Sequence, residues 1–471
     1  MKTKLTKILA TIPSGCDAAF IRKLYEAGMN AVRLNTAHQN PVESLEVVHL
    51  VRSVSPNIAV LIDTKGPEVR VRGVDTPVPV KTGDEIFVLG PDAKPPAGKP
   101  SFSTSYPGFV EEVSVSTAIL IDDGLIELRV EEKDGNTLLC RAYNNGEIKK
   151  NKSINTPGSH LKLPALQEKD KEYIQFAIEH DIDFIAHSFV RNKEDIMAIQ
   201  ELLDAGHSAV KIIAKIENQE GVDHLDEILQ HSSGVMVARG DLGVEVPLEK
   251  LPAIQKHLIS TCIKEGKTVI TATQMLQSMI ENPRPTRAEV SDVANAVFDG
   301  TDVLMLSGET AYGKYPAEAV RVMARIAVEA EAVRPEFNFV SEATSNQIRS
   351  FLVESAARAV KELPIKAIIA DTMTGKVARI LSSYRPQVPI YAKSPSARTV
   401  RELALSYGVI SDLQEMQDST DTLIKASINS LLEEGLLQIE DLVVLIGSPP
   451  GSSGSTNFIQ ITSAFLAMAV V

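Results

Sequence analysis

The sequence predicts an α/β protein, a (β/α)₈ TIM barrel with an inserted small β-barrel lid domain and a C-terminal α/β domain. Three observations lead to this prediction. Eight short apolar runs of strand composition recur along the chain, and nearly all are followed by an amphipathic helical pattern. After the third run the pattern changes to alternating strands with Gly and Pro turns. A new strand and helix pattern begins near residue 338.

The barrel is predicted over residues 1–66 and 164–338. Helical patterns such as DAAFIRKLYEAG and NKEDIMAIQELLDAG separate the strand candidates. Eight βα units in succession favour a closed barrel over an open sheet. The strand candidates are KILATI, NAVRLN, IAVLIDT, DFIAHSF, VKIIAKIE, GVMVARGD, TVITATQ and DVLMLSG.

Two further units complete the predicted organisation. Residues 67–163 contain short alternating strands with charged turns, including AILIDDGLIELRV, and are expected to form an all-β module inserted in a βα loop. Residues 339–471 begin with the helical stretch NQIRSFLVESAARAVKEL, followed by the strand KAIIAD and the helix TGKVARILSSY. This last unit is expected to fold as a separate α/β domain. The segment GSPPGSSGST at 447–456 is expected to be a loop.

Composition excludes several classes of partner. The formal net charge of -13 works against nonspecific attraction to nucleic acid or an anionic membrane. No apolar run is long enough to span a bilayer, and the N-terminal stretch lacks the features of an export signal. The three cysteines, Cys16, Cys140 and Cys262, lie far apart and match no metal-ligand spacing. We therefore expect a cytoplasmic protein.

Polar residues follow the predicted barrel strands, and in such barrels the chemistry lies at the carboxyl ends of the strands. The inserted module leaves from the same end, immediately after the third strand, so it could act as a lid that excludes water. The polar strand-end residues are Arg33, Asn35, Asp63, Thr64, Ser188, Lys215, Glu217, Gly240, Asp241, Thr273 and Ser307–Thr310.

Lys215, Glu217 and Asp241 suggest the chemistry of this mouth. Two carboxylates on neighbouring strands, with room for water and substrate oxygens, are the usual protein contribution to a magnesium site. A lysine beside them suits an anion or a developing oxyanion. The alternative is a buried Lys–Glu ion pair, with Asp241 serving only as a helix N-cap. Because seven of the predicted strands end in polar residues at the same mouth, a metal and anion site is favoured over a purely structural ion pair.

Four other residues carry weaker signals. Arg33 and Arg70 could bind phosphate or carboxylate through their guanidinium forks, although each could equally be a solvated or ion-paired arginine. Gly240 lies at a strand-to-helix turn. That turn would either leave backbone N–H groups free to bind a carboxylate or be a plain tight turn with no binding role. The hydroxyl of Thr273 could have only a structural role.

The motif series resembles the pyruvate kinase family. The matching strings, in order, are GMNAVRLNTAH, DTKGPEVR, LPALQEKD, HSFVR, IIAKIENQEG, VMVARGDLGVE, TATQML, PTRAEVSDVANAV and LSGETAYGKYP. The resemblance is specific over the first two thirds of the chain and looser in the C-terminal block. It implies phosphoryl transfer from phosphoenolpyruvate to ADP, with Mg²⁺ (or Mn²⁺) and usually K⁺. It also implies a homotetramer with a barrel, a lid and an effector domain.

The resemblance implies a role for each matching position. Glu217 and Asp241 would bind Mg²⁺, and Lys215 and Arg33 would stabilise the transferring phosphoryl group. Thr273, with the backbone of Gly240 and Asp241, would hold the substrate carboxylate and lie near the face where the enolate is protonated. The remaining implied positions are Asn35, Asp63 and Thr64 for K⁺, and Asn35, Thr36, Ala37, His38, Arg70 and Lys169 for the nucleotide.

Three departures from the family pattern affect local expectations. RLNTAH replaces the usual RLNFSH, so Ala37 stands where a serine hydroxyl helps to hold K⁺. ATIPSG and Tyr312 also differ from common members. Glu68 nevertheless matches the K⁺-dependent members, so a cation requirement is still expected.

In the C-terminal domain, backbone N–H groups at the start of a helix could bind a phosphorylated effector such as a sugar phosphate or AMP. The residues concerned are Thr372, Thr374, Gly375 and Lys376, although the two threonines could be plain helix caps. Two other functions stay open at this point. One is a metal-dependent lyase of pyruvate-like acids on a related barrel, and the other is a catalytically inactive sugar-phosphate sensor.

Overall fold

The computed structural model describes residues 3–335, 346–449 and 456–469. The chain begins with three strands and two helices of a parallel barrel. Asp17 accepts a hydrogen bond from Phe20 N at the start of the first helix, and Asn40 forms a capping box with Glu43 at the start of the second. These elements are β1 (Lys7–Thr11), α1 (Ala18–Glu26), β2 (Ala31–Asn35), α2 (Pro41–Val54) and β3 (Ala59–Asp63).

The inserted module is a closed seven-stranded barrel in the order β10-β6-β7-β4-β12-β8-β9, with β5 and β11 paired beside it. Adjacent strands of the barrel are antiparallel except for the parallel pair β6 and β7. Its apolar core is its own and includes Phe102, Phe109 and Leu138. The elements are β4 (Val69–Arg72), β5 (Val78–Val80), β6 (Glu85–Leu89), β7 (Ser101–Thr104), α3 (Phe109–Glu112), β8 (Ala118–Ile121), β9 (Ile126–Asp134), β10 (Thr137–Ala142), β11 (Gly146–Ile148) and β12 (Ser153–Asn155).

The chain then returns to the first barrel and alternates strands with helices. Short 3₁₀ turns occur at Leu248–Lys250 and Gln277–Ile280. The elements are α4 (Glu168–Glu179), β13 (Phe184–His187), α5 (Lys193–Ala205), β14 (Lys211–Ile216), α6 (Gln219–Asp223), α7 (Leu225–His231), β15 (Gly234–Ala238), α8 (Arg239–Glu245), α9 (Leu251–Lys264), β16 (Thr268–Ala272), α10 (Arg287–Asp299), β17 (Val303–Leu306), α11 (Gly308–Ala311) and α12 (Pro316–Val333).

Eight parallel strands close this barrel in the order β1-β17-β16-β15-β14-β13-β3-β2. Apolar side chains such as Leu9, Met236 and Met305 fill its interior. Because all strands run the same way, their carboxyl ends meet at one mouth. The lid is inserted between β3 and β13, and therefore begins at that mouth.

The C-terminal domain has a five-stranded sheet in the order β20-β19-β18-β21-β22, in which only β22 is antiparallel to its neighbour. Leu405 of this domain packs into the interior cluster of the TIM barrel, and Arg401 Nε lies 2.6 Å from Asp183 Oδ1. The elements are α13 (Gln347–Glu362), β18 (Ile365–Asp371), α14 (Lys376–Ser383), β19 (Ile390–Ser394), α15 (Ala397–Leu403), β20 (Val409–Leu413), α16 (Thr420–Glu433), β21 (Leu442–Gly447), β22 (Phe458–Ser463) and α17 (Ala464–Ala469).

The predicted fold class is confirmed in all three parts. Among the helices of the described residues, none has the length and apolar character that crossing a membrane requires.

Candidate active site

Lys215 lies at the centre of the barrel mouth, near the end of β14. Its Nζ is 3.0 Å from Asp63 Oδ1 and 3.0 Å from Glu217 Oε1, and it donates to Ser188 Oγ at 2.7 Å. Burial opposes ionisation of this lysine, but the two carboxylates outweigh burial and raise its pKa above the ordinary value. The ammonium group is therefore a fixed positive charge in a dry site.

Arg33 provides the second positive charge. Its Nε is 2.6 Å from Asp63 Oδ2, and its NH1 donates to Thr11 Oγ1 at 3.0 Å. Burial alone would raise the pKa of Asp63, but Arg33 and Lys215 together hold that pKa below its usual range. Asp63 is thus ionised and aligns both cations at the end of β3.

Two carboxylates lie near Lys215, that of Glu217 buried and that of Asp241 half-buried. Burial raises the pKa of both, and the charge of Asp241 adds to the shift that brings the pKa of Glu217 to about 7. The other oxygen of Glu217 accepts from Phe189 N at 2.7 Å. A divalent cation would relieve this repulsion, and hard oxygen donors suit Mg²⁺. The two residues therefore fit the predicted metal.

Within the described chain, no group of three or more His, Cys, Asp or Glu side chains is arranged to hold a metal ion. A site built from Glu217 and Asp241 alone would need substrate oxygens and water to complete the coordination shell of Mg²⁺, which keeps several waters in most proteins. An open coordination shell of this kind suits a metal that must also contact a substrate.

Thr273 follows β16 in a strained backbone conformation. Its φ is 68°, in the left-handed region that a β-branched residue rarely adopts, at a cost of about 1–3 kcal/mol. Its hydroxyl donates to Ala272 O at 2.6 Å and accepts from Gly240 N at 2.7 Å. The expectation of a free N–H at Gly240 is therefore wrong for this structure.

Gly240 and Asp241 also lie differently from the simple strand-end prediction. Both belong to the first turn of α8, which begins at Arg239 and has Ala238 as its N-cap. Asp241 is therefore not the N-cap residue that the structural alternative required. Its carboxylate instead lines the cleft under the lid.

A cleft of about 420 Å³ separates the lid from the barrel mouth. Arg70 lies in it, paired with Glu68, and its NH1 donates to Asn151 O at 2.7 Å. Asn155 of the lid donates to Glu245 Oε1 of α8 at 2.8 Å, which joins the two sides. The cleft therefore combines lid and barrel residues in one space.

Sequence reasoning did not single out several residues of this cleft as functional. Asp123 has a positive φ of 55°, and its charge contributes to the raised pKa of Asp241. Lys152 Nζ is 2.9 Å from Asp122 Oδ1. The DDG turn at 122–124 and the KNK stretch at 150–152 can be read from the sequence, but only the fold brings them to the mouth. Asn155 was likewise given no role, and Ser188 was named only as a polar strand-end residue.

Most of the predicted nucleotide residues lie on the loop after β2. Ala37 N donates to Asn35 Oδ1 at 3.1 Å, and His38 is exposed. Thr36 is buried, and its hydroxyl has no hydrogen-bond partner among the described residues. Lys169 reaches this loop by donating to Gln39 O at 3.3 Å. Arg70 lies apart from them, in the lid cleft.

The three residues predicted to bind K⁺ are neighbours. Asn35 and Asp63 are register partners of β2 and β3, and Thr64 follows directly. Thr64 Oγ1 lies 3.0 Å from His187 Nδ1, and both Asp63 oxygens contact cationic side chains. Ala37 adds no side-chain oxygen. The loop therefore offers fewer free ligands than the family pattern implies.

Three of the four predicted effector residues border a cavity of about 350 Å³ in the C-terminal domain. Thr372, Thr374 and Lys376 line it together with Asp371 and Arg349. Gly375 has a φ of 73° and is the N-cap of α14. Burial raises the pKa of Asp371 to about 6. The loop predicted at 447–456 falls mostly at 450–455, outside the described residues.

The fold and the mouth together define a TIM-barrel protein of the class that carries enzyme active sites at the carboxyl ends of its strands, with fixed cations beside carboxylates at that mouth. Comparison with known proteins narrows this class. The family described as "Pyruvate kinase, barrel domain" matches residues 3–320, and "Pyruvate kinase, alpha/beta domain" matches residues 351–462. The chain belongs to the pyruvate kinase family.

Curated relatives agree with the family match over nearly the whole chain. A pyruvate kinase of Borreliella burgdorferi is 48% identical over 471 residues, covering 98% of this chain and 98% of the relative. A pyruvate kinase of Staphylococcus aureus (strain MRSA252) is 43% identical over 470 residues, covering 97% of this chain and 80% of the relative. Neither the lyase nor the sensor interpretation is favoured by these matches.

Proposed function

We propose that the protein transfers the phosphoryl group of phosphoenolpyruvate to ADP, giving pyruvate and ATP in the final step of glycolysis. The observation that carries the proposal is the position of Lys215, held between Asp63 and Glu217 at the barrel mouth. Phosphoryl transfer depends on positioning and on charge neutralisation, and it requires no protein nucleophile. The fixed charges of this mouth provide both.

The proposal assigns a role to each charged residue at the barrel mouth. Glu217 and Asp241 hold Mg²⁺ or Mn²⁺, which when bound neutralises negative charge on the reacting oxygens. Lys215 and Arg33 contact the phosphoryl group from the protein side, and Lys215 also faces the enolate oxygen as it develops. Asp63 keeps both cations aligned through its two ion pairs.

The substrate carboxylate lies, in this proposal, against the first turn of α8. The backbone of Gly240 and Asp241 and the Thr273 hydroxyl hold it there. Because Gly240 N now donates to Thr273 Oγ1, that hydrogen bond must be exchanged or shared when the carboxylate binds. Thr273 then lies beside the face of the enolate where a proton is delivered, directly or through water.

The nucleotide and the monovalent cation occupy the other side of the mouth. ADP contacts the loop from Asn35 to His38, Lys169 and, across the lid cleft, Arg70. K⁺ is held by Asn35, Asp63 and Thr64, with water in place of the missing hydroxyl at Ala37. We propose that residues 67–163 close over both substrates and exclude water during transfer.

Regulation and assembly complete the proposal. A sugar phosphate or AMP binds the cavity bordered by Thr372, Thr374 and Lys376, beside the N-cap residue Gly375, where backbone N–H groups begin α14. Residues 339–471 form the effector and assembly domain of a cytoplasmic homotetramer. Exposed apolar side chains near the last strand, such as Phe465 and Leu466, support an assembly surface there.

A coupled assay tests the function. Pyruvate formation is followed with phosphoenolpyruvate, ADP, K⁺ and increasing Mg²⁺, using the wild-type protein and Glu217→Gln. We expect metal-dependent turnover in the wild type and a loss of at least a hundredfold in the variant. Wild-type protein that forms no pyruvate under these conditions contradicts the proposal, and an unaffected variant contradicts the metal assignment.

A further inference from the structure

The turn after β16 needs support from its surroundings. Thr273 and Gln274 both have positive φ, at 68° and 54°. Two consecutive non-glycine residues in the left-handed region are strained, and such a conformation persists only where neighbouring groups over-determine it. The Thr273 hydroxyl bonds to Ala272 O in its own segment and to Gly240 N on α8, and both bonds hold the side chain and leave Thr273 O to another partner.

The side chain of Arg239 supplies the missing support. Its NH2 donates to Thr273 O at 2.7 Å, and its Nε donates to Ala272 O at 3.3 Å. The guanidinium group therefore binds the two successive carbonyls that lead into the strained turn. Only 9% of the Arg239 side chain is exposed, so these hydrogen bonds compete little with water.

Arg239 is itself fixed from the opposite side by two helices. NH1 lies 2.7 Å from Asp292 Oδ1 on α10 and donates to Gln255 Oε1 on α9 at 3.4 Å. The planar guanidinium fork allows one side chain to bind two carbonyls and a carboxylate at once. A lysine ammonium at this position could not reproduce that geometry.

We propose that Arg239, oriented by Asp292, is a positioning residue that holds the Thr273 hydroxyl at the substrate carboxylate and the protonation face. The inference rests on the proposed function, because it assigns Thr273 to the handling of phosphoenolpyruvate. Without Arg239 the turn relaxes toward negative φ and the hydroxyl moves, whereas Lys215 and Glu217, at the end of β14, keep their contacts.

The test compares Arg239→Met and Asp292→Asn with a matched control, Lys256→Gln. Lys256 also forms an ion pair, joining α9 to α10 through Asp299, and among the described residues it makes no hydrogen bond or ion pair with the Thr273 turn. Three quantities are measured: kcat, KM for phosphoenolpyruvate, and exchange of pyruvate methyl protons with D₂O by ¹H NMR in the presence of Mg²⁺, K⁺ and inorganic phosphate. Mn²⁺ affinity reports on the metal centre.

We expect Arg239→Met to lower both kcat and the methyl exchange rate at least tenfold, with Mn²⁺ affinity within twofold of the wild type. Asp292→Asn should lower both rates about threefold, and Lys256→Gln should match the wild type. Arg239→Lys should recover only part of the loss. Because Asp292 is 36% exposed, its variant keeps the test valid if Arg239→Met does not fold.

Thr273→Ala in the wild-type and Arg239→Met backgrounds separates positioning from general stability. If Arg239 acts through Thr273, the alanine costs much less activity in the Arg239→Met background than in the wild type. Equal costs in both backgrounds overturn the inference, as does Arg239→Met turnover within twofold of the Lys256→Gln control. An inactive wild-type protein would instead contradict the proposed function.

Discussion

Replacement of Lys215 by methionine removes the central charge of the site. The ammonium group contacts Asp63 and Glu217 at 3.0 Å each and Ser188 Oγ at 2.7 Å, so it is held in place before substrate binds. Loss of one preorganised charge-stabilising group costs about 3–4 kcal/mol of transition-state stabilisation. Since about 1.4 kcal/mol is tenfold in rate, we expect kcat to fall by two to three powers of ten.

The same substitution also affects stability. Removing one partner of a buried ion pair costs about 3–5 kcal/mol, because the remaining charges are uncompensated. Glu217 can escape part of this cost by taking up a proton, since burial already brings its pKa to about 7. The destabilisation of Lys215→Met should therefore be smaller at pH 6 than at pH 8. Adding Glu217→Gln should restore stability without restoring turnover.

The assay follows pyruvate formation at saturating substrates, together with urea unfolding at both pH values. Lys256→Gln is the control, because it removes an exposed lysine with one carboxylate partner and should leave turnover unchanged. If Lys215→Met keeps more than a tenth of wild-type kcat, the charge has no catalytic role and Lys215 serves only structure.

Four other outcomes follow from separate features. Burial raises the pKa of Asp371 from 3.8 to about 6, so the stability that its protonated form contributes is complete below pH 3.8 and is lost as pH rises through about 6. Asp371→Asn should therefore stabilise the protein at pH 8 by up to ~3 kcal/mol in urea unfolding. Equal effects of the substitution at pH 4 and pH 8 would refute this. Ala37→Ser should tighten the apparent K⁺ affinity in titrations free of other monovalent cations, and full activity without any such cation would contradict the K⁺ site. A sugar phosphate or AMP should shift the apparent affinity for phosphoenolpyruvate. Thr374→Val should abolish this shift while leaving basal kcat unchanged. If none of these ligands changes the affinity for phosphoenolpyruvate, the cavity is not an effector site. Asn155→Asp places a carboxylate against Glu245 and should raise KM for ADP about fivefold by opening the lid. Adding Glu245→Gln should restore part of the lost affinity. An unchanged KM would show that the hydrogen bond between Asn155 and Glu245 does not hold the lid.

The architecture could be predicted from the sequence because its signals are local and repeated. Each barrel strand is a largely buried apolar run, and nearly all are followed by a helical period. The presence of the inserted module was visible through its turns. Its closure into a seven-stranded barrel with the parallel pair β6 and β7 was not, because strand pairing is long-range and leaves little trace in composition.

The site was only partly predictable. Lys215 and Glu217 stand two residues apart at the end of a buried strand, and this spacing is enough to expect their contact. The backbone of Thr273 is different, because nothing in TATQML indicates a positive φ. That conformation allows the Thr273 hydroxyl to accept the N–H of Gly240, and so the expectation of a free donor failed.

Contacts across the lid cleft were the least visible feature. Asn155 and Glu245 are separated by 90 residues and meet only because the inserted module folds back over α8. Arg239 directly precedes Gly240 and Asp241 in the same helix, yet its partners are two backbone carbonyls at the end of β16 and a carboxylate of α10. Such partners are assigned by tertiary structure and not by motif.

The most direct measurement is ³¹P NMR of the protein with phosphoenolpyruvate, ADP, Mg²⁺ and K⁺. The proposed function predicts that the phosphoenolpyruvate signal is replaced by the γ-phosphate signal of ATP in equal amount, and that Lys215→Met slows this conversion by at least a hundredfold. A phosphoenolpyruvate signal that persists, or one that gives inorganic phosphate without ATP, would contradict phosphoryl transfer at this barrel mouth.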